Sequence, residues 1–64
     1  MSGVEKFVES ILLSEIYPKI GIDTPENHEE IVKFISDDVK ETADKENYHS
    51  GDVSIGFRRF LESK

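Results

Sequence analysis

Apolar residues recur at intervals of three and four through most of this chain, and that spacing confines it to a helical fold. Val4, Phe7, Val8, Ile11, Leu12 and Ile16 form one series; Ile31, Val32, Ile35, Val39 and Ala43 form a second, with Phe34 at its edge. Residues three and four apart stack on one face of an α-helix, whereas a half-buried strand requires alternation. Two amphipathic helices are therefore expected before any other feature is read.

Local signals place their ends. Ser2 followed three residues later by Glu5 has the form of a capping box, in which each side chain satisfies an otherwise unpaired backbone N–H. Pro18 cannot donate to a helix ladder and restricts the residue before it, so the first helix is expected over residues 3–17. Ile20, Gly21 and Ile22 then read as an apolar connection folding back over the core. In Asp23-Thr24-Pro25-Glu26, a capping threonine precedes a proline at the first helical position, and acids follow where the positive helix end favours them. The second helix is expected over residues 25–46.

The third segment supports two readings. Val53, Phe57, Phe60 and Leu61 fit a helix over residues 52–62 with Ser50 or Asp52 as its cap, while Val53, Ile55 and Phe57 also alternate as a strand would. A strand needs a partner, and no other segment alternates. The expected architecture is thus all-α, a compact three-helix domain with short loops; the alternative is two helices plus a C-terminal strand.

The chain has 64 residues and no repeat or linker, so residues 1–64 are read as one domain. A chain of this length buries only about 60% of the surface its unfolded form exposes. Small domains commonly offset that deficit with disulfides or a structural metal, but cysteine is absent here, which excludes disulfides and thiolate metal sites. Regular helix packing, self-association and a partner that completes the core remain. Charge is scattered through Met1–Lys6 and the longest nearby apolar run is Ile11–Leu13, so neither a leader peptide nor a membrane span is expected. Together with the missing cysteines, which fit a reducing compartment, this makes a cytoplasmic location the expectation.

The formal charge is −6 and unevenly distributed: from Asp23 to Asp52, ten acids meet three lysines. Such a balance disfavours the counterion release that drives binding to nucleic acid or anionic lipid. Glu26, Glu30, Asp37, Glu41 and Asp44 follow one another at spacings of four, seven, four and three, along the side of the second helix opposite its apolar stripe. A solvated face is the simplest role for them; the alternative is an acidic decoy that occupies a nucleic-acid-binding surface in place of phosphates. Lys33 and Lys40 interrupt that field.

Little in the chain suggests chemistry. Asp37, Asp38 and Glu41 lack the glycine-turned loop with which proteins wrap calcium, and His28 and His49 have no metal-ligand spacing, so neither metal nor cofactor is expected. A general base needs a positioned partner and a pocket, which 64 residues can hardly enclose, so an enzyme is not expected. Arg58 and Arg59 are adjacent between Phe57 and Phe60; they suit ion pairing with the acidic helix, or, in a third reading, phosphate contacts of a small DNA-binding regulator.

Apolar residues in excess of one stripe per helix point to a binding surface. Ile55, Gly56, Arg58, Arg59 and Phe60 on the last helix, with Leu13 and Tyr17 on the first, are the candidate partner-binding residues. The functional expectation is a small acidic protein-protein interaction module or regulator, with a protein partner and a homodimer as one form of it.

Overall fold

The computed structural model describes residues 3–42 and 47–63, and in it both long apolar series and the ambiguous third segment are helical. The first helix, α1, covers residues 3–20; α2 is His28–Thr42 and α3 is Ser50–Glu62. No strand occurs among the described residues, so residues 53–57 belong to a helix and the chain is an all-α three-helix domain. Val8, Leu12, Ile16 and Tyr17 of α1, Ile31, Ile35 and Val39 of α2, and Val53, Phe57 and Phe60 of α3 form one buried core. Ala43, expected on the α2 stripe, lies outside the described residues, as does Ser2 of the expected capping box.

Pro18 does not end α1; the helix passes through it. The segment is α-helical over Gly3–Ile11, π-helical over Leu12–Ile16 and α-helical again over Tyr17–Ile20. In an unbroken α-helix the Ser14 carbonyl would face a proline with no N–H to offer and a ring that collides with it. The π turn shifts the register, with the Tyr17 N–H bonding the Leu12 carbonyl five residues back. Pro18 then enters at the start of a fresh α turn, where its missing N–H is not needed. The Ser14 hydroxyl donates to the Ser10 carbonyl at 2.7 Å within the same stretch. One consequence is that the extra residue per turn swings Tyr17 toward the core, where it is 2% exposed. Its expected place on a free surface is corrected accordingly.

The true end of α1 is at Gly21, whose φ of +73° only glycine adopts at no steric cost. The Gly21 N–H bonds the Pro18 carbonyl and the Ile22 N–H the Tyr17 carbonyl, the paired closure of a Schellman motif. That closure turns the chain outward. Ile20 and Ile22 consequently stay exposed rather than folding back over the core.

The α2 start also differs from expectation. Pro25 opens a turn closed by the His28 N–H on the Pro25 carbonyl at 3.1 Å, and the first helical bond runs from the Ile31 N–H to the Asn27 carbonyl at 3.0 Å. Asn27, not Thr24, therefore stands at the capping position, and the helix begins three residues later than Thr24-Pro25 indicates. Its far end is expected at residue 46, which lies outside the described residues.

The cap of α3 is supplied by His49, not by Ser50 or Asp52. The Gly51 N–H donates to His49 Nδ1 at 3.0 Å and the His49 N–H to Asp52 Oδ2 at 2.8 Å, so the pair satisfies backbone donors reciprocally. The helix thus starts at Ser50, two residues before the expected boundary.

Ser36 is a polar member of the core. It is 1% exposed, and its hydroxyl makes no hydrogen bond. Leaving a buried hydroxyl unsatisfied costs about 1–3 kcal/mol. Replacing Ser36 with alanine removes that penalty and improves helix propensity, so the variant should be more stable than the parent by about 1 kcal/mol. Urea midpoints of the two proteins check it; a less stable Ser36→Ala would mean that the hydroxyl is satisfied in solution.

Candidate functional site

The fold divides the seven residues expected to bind a partner into two groups. Leu13, Ile55, Arg58 and Arg59 are exposed; Tyr17, Gly56 and Phe60 are buried. On α3 the division follows helical geometry. Val53, Gly56, Phe57 and Phe60 share the inward face at spacings of three and one, which leaves Ile55 and Arg58, three apart, on the outward one. Phe60 stands edge-on to Phe34 of α2 with ring centroids 5.3 Å apart, and Phe57 edge-on to Tyr17 at 6.3 Å. Both aromatic rings are thereby committed to the core and cannot also form an outer surface. Gly56 is used internally too, because it lies where α3 meets Ile35 of α2.

Large aliphatic side chains nonetheless reach solvent. Leu13, Ile20, Ile22, Ile55 and Leu61 are between 44% and 56% exposed. Ile20, Ile22 and Leu61 were not among the candidates drawn from the sequence. The signal for the first two lay in Gly21, a left-handed helix stop that sends the chain outward. Leu61 follows Phe60 directly, about 100° round the helix from it, and with Phe60 turned toward Phe34 it faces solvent.

Arg59 forms an ion pair across the α2–α3 boundary, Nη1 to Asp38 Oδ1 at 2.8 Å. Pairing of the arginines with the acidic helix thus holds for Arg59. Since Arg59 is half exposed, the pair contributes at most a modest amount, on the order of 0–1 kcal/mol. Its geometric effect is to aim Arg59 along the protein surface, toward α2.

Glu30, Asp37 and Glu41 are all exposed on α2, seven and four residues apart on the side away from Ile31, Ile35 and Val39. Glu26 is exposed but sits in the turn before the helix, and Asp44 lies outside the described residues. Lys33 and Lys40 are exposed on the same helix. A cleft of about 380 Å³ separates α1 from α2 and is lined chiefly by Glu5, Lys6, Glu9, Glu29, Lys33 and Asp37. Among the described residues, no group of three or more histidines and acids is placed to hold a metal ion. No described helix is long and apolar enough to cross a membrane.

Sequence reasoning assigned His28 to the border of the core but missed its partners. Its Nδ1 lies 2.8 Å from Tyr17 Oη and its Nε2 3.2 Å from Glu9 Oε2. A carboxylate only accepts, so a neutral imidazole carries its proton on Nε2 and accepts the Tyr17 hydroxyl at Nδ1. This chain of three ties the start of α2 to two turns of α1, and it gives both ring nitrogens of His28 and the Tyr17 hydroxyl a partner. No sequence motif reports it, because Glu9, Tyr17 and His28 meet only after the π turn has rotated Tyr17 inward.

Burial raises the pKa of the Tyr17 phenol above its ordinary value by desolvating the anion. A raised phenol binds its proton more tightly in the folded state, so its contribution to stability is complete below the unfolded value and is lost as pH rises through the folded one. Tyr17→Phe should therefore flatten the alkaline loss of stability above about pH 10, at the expense of about 1 kcal/mol near neutrality for the missing hydrogen bond. Urea midpoints at pH 7 and in the alkaline range measure both effects; equal alkaline slopes would contradict the buried phenol.

The cleft beside this chain is lined by Glu9 but not by Tyr17 or His28, so the phenol is placed to bond within the core. No protein-family model, curated protein or solved structure matches the chain.

Proposed function

We propose that this domain is a protein-binding module that engages its partner through exposed aliphatic side chains, with Ile55, Arg58 and Leu61 of α3 and Leu13 of α1 as the contact residues. The observation that carries this reading is that, among the described residues, five large aliphatic side chains remain about half exposed although ten apolar residues fill the core. Single exposed hydrophobes are common and need no explanation, but several on a domain this small mark surface that gains by being covered. Arg58 adds a planar donor of the kind enriched at the centres of interfaces. A second copy of the chain is one partner that such a surface would accept, and sedimentation at two concentrations distinguishes a homodimer from a monomer awaiting another protein.

The test is affinity capture from the source cells with the parent protein and two variants, Ile55→Asp and Leu61→Asp. Both positions are exposed, so melting should be unchanged within about 0.5 kcal/mol. Binding should weaken about tenfold or more at a position that anchors the interface. Full retention of the captured protein by both variants would overturn the proposal.

The exposure of Glu30, Asp37 and Glu41 along one side of α2 favours a second reading, an acidic decoy on a basic nucleic-acid-binding surface. Salt separates the two. Contacts between exposed charges are screened over about 10 Å at 0.1 M salt, whereas apolar burial is not weakened by it. Changing Glu30 and Glu41 to glutamine and Asp37 to asparagine should abolish decoy binding and leave apolar binding intact.

A further inference from the structure

We draw no further inference here: the strongest candidate, the charged cleft between α1 and α2 lined by Glu5, Glu9, Glu29 and Asp37 with Lys6 and Lys33, is a surface cluster of acids and lysines for which no second observation in the structure points to a ligand.

Discussion

Leu12→Ala should bring this domain to the edge of unfolding, while Leu13→Ala, one residue further on, should change almost nothing. Leu12 is fully buried and Leu13 is 44% exposed. Truncating a buried leucine costs about 2–5 kcal/mol, made up of the lost transfer energy and the cavity left behind. A 64-residue domain has only about 3–10 kcal/mol in hand, so a large part of its stability is removed at one stroke. For a domain of this size each kcal/mol moves the melting temperature by roughly 4–8 °C, which puts the Leu12→Ala shift above about 10 °C and the Leu13→Ala shift within a few degrees. Helical circular dichroism during heating measures both. Similar melting of the two variants would show that Leu12 is not held in the core in solution.

The same pair of leucines shows what a periodic sequence conveys. The three-and-four spacing through Val8 and Leu12 assigns Leu12 to the core and leaves Leu13 outside it, and the structure agrees. Periodicity then misleads at Tyr17, because an ideal helix carries that residue off the core face, whereas one π turn brings it back. Pro18 is the cause of the change and is plainly visible in the sequence. Whether a proline stops a helix or widens the turn before it depends on what the following residues can bury, and here Ile16 and Tyr17 both gain a place in the core. Helix existence was therefore legible for all three segments, while two starts and one end depended on backbone bonds that composition does not specify. His49 illustrates this: a histidine is an unusual cap, and only its approach to the Gly51 N–H reveals it.

The candidate site was legible in part for the same physical reason. Amphipathic spacing separates Ile55 from Val53 and Phe57 on an isolated helix, so its exposure follows from α3 alone. Gly56 and Phe60 share the inward face with Val53 and Phe57, but how closely each is packed depends on where α2 crosses α3. Their neighbours across that boundary, Ile35 and Phe34, are twenty or more residues away in the chain. A glycine and an aromatic residue look equally suited to an outer contact and an inner one until the neighbouring helix is in place.

That crossing supplies the second large effect, a substitution whose sign depends on its neighbour. Gly56 lies in the middle of α3, where alanine would ordinarily raise stability by about 1 kcal/mol through reduced backbone entropy. A Cβ built at Gly56 would lie 2.9 Å from Ile35 Cγ2, inside van der Waals contact, with Asp38 Oδ2 next at 3.4 Å. Ile35 is fully buried and β-branched, so this methyl has little freedom to move aside. Overpacking of this kind costs about 1–3 kcal/mol, enough to cancel or exceed the helix-propensity gain, and Gly56→Ala should be destabilising overall. Ile35→Leu removes the offending branch at nearly constant volume and should cost less than about 1.5 kcal/mol by itself. In the Ile35→Leu background the added Cβ has space, the propensity gain is expressed, and Gly56→Ala should become stabilising. The double-mutant cycle, read from urea unfolding of the four proteins, should then show a coupling of about 1–3 kcal/mol. Additive effects would mean that α2 and α3 do not approach through Gly56. If so, Ile55 and Arg58 would no longer be held to the outward face of α3, and the proposed contact surface would fail with the crossing.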